Sequence, residues 1–255
     1  IEEQKVVGEF FEALYRDDFQ MYLQPKFFLG KEIIYGAEAL ARWKKPDGTI
    51  VPPAYFIDSL EKIGYITELD FYIFEEVLKT LDKWNRQKKR KIIISTNFSG
   101  RHFEGTGEEF LNRIAHVMSK YTVLPSNVEI EVTEGVLVKN VEVLRHCLNR
   151  LHDMGFRIAI DDFGTGYSSL SMLADMPSDV IKIDKSFINV GMTDQKLKLL
   201  CEIGRMVKIL GKEIIIEGVE TKEQEQFLID GGFACGQGFL CNRPVSLGEF
   251  ERLYL

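Results

Sequence analysis

The chain has 255 residues, a formal net charge of -7 and an apolar share of 45%. That apolar share excludes a disordered polymer, which lacks the residues to offset ordering entropy. The charge argues against a surface that tracks long nucleic acid, because such surfaces need clustered cations. Length is compatible with one large domain, since an α/β barrel uses about 250 residues for a single core.

In chain order, the first segment is a helical phrase, Glu2 to Tyr15, beginning without a methionine. Residues 1–19 therefore read as a helical lead-in from a longer multidomain protein. No apolar run approaches the roughly 20 residues of a membrane-spanning helix, so no membrane contact is expected of this segment, though a full-length protein could be anchored elsewhere. Cys147, Cys201, Cys235 and Cys241 show no zinc-like pairing, which fits a reduced, cytoplasmic setting. His102, His116, His146 and His152 form no ligand motif and read as ordinary surface histidines.

Short β-rich runs follow at Gln20 to Leu29, Ile33 to Leu40, Lys91 to Asn97, Val128 to Thr133, Arg157 to Asp161, Val180 to Asp184, Glu213 to Glu217 and Ala234 to Leu240. From the second run onward, helical patterns separate them, most clearly Glu68 to Trp84, Glu108 to Tyr121, Val141 to Met154, Lys196 to Leu210, Lys222 to Asp230 and Leu247 to Leu255. Alternation of this kind implies a parallel sheet, and eight units imply closure into a TIM-like (β/α)8 barrel. Only Gly30 to Glu32 separate the first two runs. A parallel crossover needs about a dozen residues, so the first strand should run antiparallel to the rest. No linker-like composition interrupts residues 20–255, which read as one domain.

The strands carry polar residues where a buried charge is costly unless paired or metal-bound. The two-residue period sets Ser95 and Asn97 on one face, as it does Glu129 with Glu131 and Lys182 with Asp184. Barrel enzymes place their chemistry at C-terminal strand ends, where Glu38, Asn97, Glu131, Asp161, Asp162, Lys182, Glu217 and Gln237 fall. Crowded carboxylates repel and partly protonate unless cations neutralise them. Oxygen donors without His or Cys favour Mg²⁺ or Mn²⁺, and the adjacent Asp161 and Asp162 could serve two ions. Two rivals explain less. A Schiff-base role for Lys182 conflicts with carboxylates that hold it protonated, and a two-carboxylate glycosidase leaves Asn97 and Lys182 without a task.

These motifs resemble the EAL-domain family from about Gln20 onward. The resemblance is carried by Gln24-Pro25, Glu38-Ala-Leu-Ala-Arg-Trp43, Thr96-Asn-Phe-Ser99, Glu131-Val-Thr-Glu134 and Asp161-Asp-Phe-Gly-Thr-Gly-Tyr-Ser-Ser-Leu170. Lys182-Ile-Asp184, Glu217-Gly-Val-Glu220 and Gln237-Gly238 complete the ordered series. It implies hydrolysis of cyclic-di-GMP to linear pGpG with Mg²⁺ or Mn²⁺, two ions per site, frequently in a homodimer. Glu38, Asn97, Glu131 and Asp161 would bind one ion, with Asp161 and Asp162 serving the second and Glu217 helping to place it. Lys182 would hold water or developing phosphate charge. Gln24, Leu40, Arg42 and Gln237 would contact substrate. Glu134, Gly164 and Gly166 would support the site and its loop from Phe163 to Leu170, with Asp184 and Glu220 in supporting positions. Lys26 stands after the Gln-Pro where the resemblance leads one to expect an aliphatic side chain, and no role is assigned to it. The main rival within the family is a catalytically silent receptor for cyclic-di-GMP.

Overall fold

A computed structural model of the chain describes residues 2–138, 140–166, 170–189 and 193–255. Its strands are β1 (Phe19–Phe28), β2 (Ile34–Lys44), β3 (Ile50–Val51), β4 (Ile93–Asn97), β5 (Val128–Thr133), β6 (Arg157–Phe163), β7 (Val180–Ile183), β8 (Glu213–Glu217), β9 (Cys235–Gln237) and β10 (Val245–Ser246). The sheet runs β10-β1-β9-β8-β7-β6-β5-β4-β2-β3, and pairing of β1 with β2 closes it. Eight strands thus form a barrel, with the two-residue strands β3 and β10 attached at its side.

β1 is antiparallel to both barrel neighbours, β2 and β9, whereas the remaining barrel pairs are parallel. The short turn enforces this reversal. Gly30 takes a left-handed φ of 71°, while Phe28 N–H donates to Ile33 O and Lys31 N–H to Phe28 O. Two strands joined by so few residues can only fold back on each other.

Several strand boundaries differ from the sequence reading: β4 begins at Ile93 rather than Lys91, β1, β7 and the start of β2 shift by one residue, and three other ends move further. β2 continues to Lys44 rather than stopping at Leu40, because pairing with β1 extends to Phe19 opposite Trp43 and β3 pairs with its end. β6 continues through Asp162 to Phe163. β9 is shorter than expected because the chain turns at Gly238, where a Cβ would lie 2.3 Å from Val219 O.

The outward strand residues Ile94, Val128, Ile130 and Val132 are buried in one continuous core with Leu69, Ile73, Phe74 and Val77 of the helix Ile66–Arg86. Those helix positions recur at the spacing that lines one face. Each such side chain contributes on the order of 1.5–3 kcal/mol by burial, which fixes the strand ends from outside. The helix Glu2–Tyr15 packs on the barrel too: Phe10 and Ala13 are fully buried, and the Phe10 ring lies 5.6 Å from that of Phe19. Among the described residues, no helix is long and apolar enough to cross a membrane.

His102 is a correction. It is buried rather than superficial, because the turn Gly100–Phe103 folds it among Phe71, Phe98 and Phe110. Its Nε2 lies 3.0 Å from Asp70 Oδ2, the oxygen that also accepts the Ser99 N–H, so the pair anchors the chain leaving β4.

Candidate active site

The inward faces of the strands gather the polar residues at one end of the barrel. Lys182, on β7, is completely buried at the centre. Its Nζ lies 3.1 Å from Glu38 of β2, 2.8 Å from Glu131 of β5, 3.0 Å from Asp161 of β6 and 2.9 Å from Glu217 of β8. Burial by itself would lower the Lys182 pKa, but the combined pull of Asp161, Glu131, Glu217 and Glu38 raises it well above its ordinary value. A lysine held protonated by four carboxylates is a poor Schiff-base nucleophile, which argues against the aldolase-like alternative.

Glu38 is held from several sides. Its Oε1 accepts from Asn97 Nδ2 at 2.8 Å, and its Oε2 accepts from Gln237 Nε2 at 2.6 Å as well as from Lys182. Gln237 also donates to Gln24 Oε1 at 3.2 Å, bringing β1, β2 and β9 into one network. Gln237 Oε1 is buried with no partner among the described residues, an acceptor left over at the site.

Asp161 and Asp162 show why consecutive residues can share a site. Strand alternation would send them to opposite faces. A register shift between Ile160 and Phe163, with Asp162 at a left-handed φ of 55°, breaks that alternation. Asp is among the residues that tolerate this conformation. The Asp162 N–H donates to Asp161 Oδ1 at 2.9 Å, fixing the pair locally.

Two overlapping groups result. Ligand atoms of Glu38, Glu131 and Asp161 lie within 4.8 Å of one another, as do those of Asp161, Asp162 and Glu217. Burial raises the pKa values of Asp161, Asp162 and Glu217, with neighbouring carboxylates adding to the effect. Glu131 departs in the other direction: burial favours its protonation, but Lys182 and Lys26 pull its pKa down to about 2. The all-oxygen donor set, the shared Asp161 and the leftover Gln237 acceptor fit hard divalent cations.

The supporting residues divide. Glu134 is buried, and its Oε2 accepts from the N–H groups of Gly164 at 2.8 Å and Gly166 at 3.0 Å, clamping the chain after β6. A Cβ at Gly164 would lie 2.2 Å from the Phe187 ring, and that residue has a φ of 99°. The part of this loop at residues 167–169 lies outside the described residues. Asp184 Oδ1 accepts from Ser186 N–H at the start of a short helix, and exposed Glu220 donates its own N–H to Gln224; neither belongs to the two carboxylate groups.

Beside Asn97 lies a cavity of about 280 Å³, lined by Leu40, Ala41, Pro53 and Ile57 among others. Half-buried Arg42 donates from Nη1 to Ala41 O at 2.8 Å and sits 5.7 Å from the centre of the Tyr22 ring. One contributor escaped sequence reasoning. Lys26, two residues from Gln24 on the same inward face of β1, is 2% exposed and reaches Glu129 and Glu131. The signal was the period itself, which aligns Gln24 with Lys26 just as it aligns Glu131 with Glu129.

The fold and site thus define an α/β barrel with a reversed first strand and a lysine-centred acidic cluster at its strand ends. The model of the EAL domain matches residues 8–244, and the chain belongs to that family. It is 37% identical over 245 residues to the signaling protein YkoW of Bacillus subtilis, covering 96% of this chain and 30% of that protein. It is 31% identical over 243 residues to the cyclic di-GMP phosphodiesterase PdeR of Escherichia coli, covering 95% and 36% respectively. The chain therefore spans about a third of the length of these relatives. The solved PaMucR phosphodiesterase in complex with c-di-GMP superposes with a TM-score of 0.89 at 30% identity, covering 96% of this chain and 99% of that one.

Proposed function

We propose that the chain hydrolyses cyclic-di-GMP to linear pGpG with the help of two Mg²⁺ or Mn²⁺ ions. The observation that carries this reading is the pair of carboxylate groups sharing Asp161, with Lys182 at their centre. Similarity to proteins named as cyclic di-GMP phosphodiesterases supports the choice of substrate.

Glu38, Asn97, Glu131 and Asp161 would hold one ion; Asp161 and Asp162, with Glu217, would hold the other. When bound, the ions neutralise phosphate charge and make water a better nucleophile at neutral pH. The chain's own residues supply the remainder. Lys182 keeps its proton and presents a fixed positive charge where negative charge develops on phosphate. Asn97 and Gln237 orient Glu38 through its two oxygens. The apolar lining around Leu40 suits the flat face of a guanine, while Arg42 offers a planar guanidinium to a phosphate. Glu134 holds the backbone beyond Asp162 through Gly164 and Gly166. In this reading the domain acts in the cytoplasm as a homodimer, within a longer protein.

The test is incubation of the purified domain with cyclic-di-GMP and Mg²⁺ or Mn²⁺, followed by chromatographic separation of nucleotides. Formation of pGpG, lost in Glu38→Ala, is the expected result. Tight binding without product in the unmodified chain would replace the enzyme with a receptor, and absence of both would remove the assignment.

A further inference from the structure

Below the acidic cluster, the barrel interior contains a second layer of charge. Lys26 Nζ lies 2.7 Å from Glu129 Oε1 and 2.8 Å from Glu131 Oε1, with all three side chains buried. Each carboxylate divides its oxygens between two cations. Glu129 gives Oε1 to Lys26 and Oε2 to Arg157, whose other end reaches Glu213. Glu131 gives Oε1 to Lys26 and Oε2 to Lys182. Charges therefore alternate along an unbroken series from Arg157 through Glu129, Lys26 and Glu131 to Lys182.

Glu131 Oε2 faces the same ammonium as Glu38 Oε2 and Asp161 Oδ1 and so points into the carboxylate group. Its other oxygen, Oε1, is occupied by Lys26. We propose that Lys26 is a positioning residue for the metal site: by holding Oε1 of Glu131, it makes that carboxylate present a single oxygen, Oε2, to a divalent cation. The inference rests on the metal-dependent reading above and concerns how the chain prepares one ligand. Arg157 and Glu129 fix Lys26 from below, transmitting the rigidity of the barrel floor to the site. Outer partners of metal ligands commonly change affinity by roughly 10- to 100-fold when removed.

Charge and position make opposite predictions, which separates them experimentally. Removing a nearby positive charge should strengthen cation binding, whereas releasing Glu131 from its fixed orientation should weaken it. The experiment measures Mn²⁺ binding to the metal-free protein by calorimetry and electron paramagnetic resonance, in wild type, K26M and K26M/E129Q. The double variant removes one positive and one negative charge and leaves no unpaired carboxylate beneath the site, so it guards against misfolding; circular dichroism checks each fold.

Weakening of about tenfold or more in K26M/E129Q, with K26M also weaker than wild type, is the expected result. Raising Mn²⁺ should restore much of the variants' kcat while their apparent metal requirement stays high. Wild-type affinity in the double variant, or tighter binding in K26M, would overturn the positioning role even if melting temperatures fall. Failure of wild type to bind Mn²⁺ would instead overturn the metal-dependent reading, and this inference with it.

Discussion

Lys182→Met tests the electrostatic organisation of the barrel directly. Lys182 is fully buried and lies within 3.1 Å of four carboxylates, so the substitution leaves Glu38, Glu131, Asp161 and Glu217 facing one another. Removing one member of a buried ion pair costs about 3–5 kcal/mol. At about 2–4 °C per kcal/mol for a domain of this size, the metal-free variant should melt roughly 6–20 °C lower near pH 8. Asp161 and Glu217 have folded pKa values raised by burial. The folded state therefore binds more protons at these groups, and their penalty is relieved as pH falls through the raised values. Glu131 works in the opposite sense: with its pKa at about 2, its wild-type contribution is present above the ordinary carboxylate range and is lost as pH falls toward 2. The variant's deficit should hence shrink between pH 8 and pH 5. Thermal melts with a chelator, across that range, provide the assay. Wild-type stability at pH 8, or a deficit that grows on acidification, would refute the reasoning.

The raised pKa values also predict that Mn²⁺ binding displaces protons from Asp161, Asp162 and Glu217. Affinity should fall from pH 8 to pH 5.5, and calorimetry in buffers of different ionisation enthalpy should register proton release; pH-independent binding would contradict this. Glu134→Gln should preserve most of the global fold but reduce activity about tenfold or more, because a weaker acceptor holds Gly164 and Gly166; faster amide exchange after β6 is the accompanying signature. Gly164→Ala should destabilise by about 1–3 kcal/mol through its left-handed backbone and its clash with Phe187. Combining it with Phe187→Ala should remove the clash and leave the backbone component, measurable as non-additive shifts in a double-mutant cycle.

Much of the architecture was legible because its causes are local. Val128 to Thr133 and Glu213 to Glu217 fall where their β-rich runs place them, and the short turn near Gly30 requires a reversed first strand. The same two-residue period brought Glu131 and Asn97 to the inward face. His102 was misread because its burial depends on a turn that places it against Phe71 and Asp70, some thirty residues earlier on the helix Ile66–Arg86.

The sequence by itself determined the alternation of strands and helices, the reversal of β1 and the order of polar residues at the strand ends, because periodicity and chain length act between near neighbours. Only the tertiary structure decided how Asp161 and Asp162 reach one site, through a break in the strand register, and that Lys26 and Lys182 divide the two oxygens of Glu131. Those outcomes depend on closure of the barrel, which brings β1, β5 and β7 within hydrogen-bonding distance across its interior.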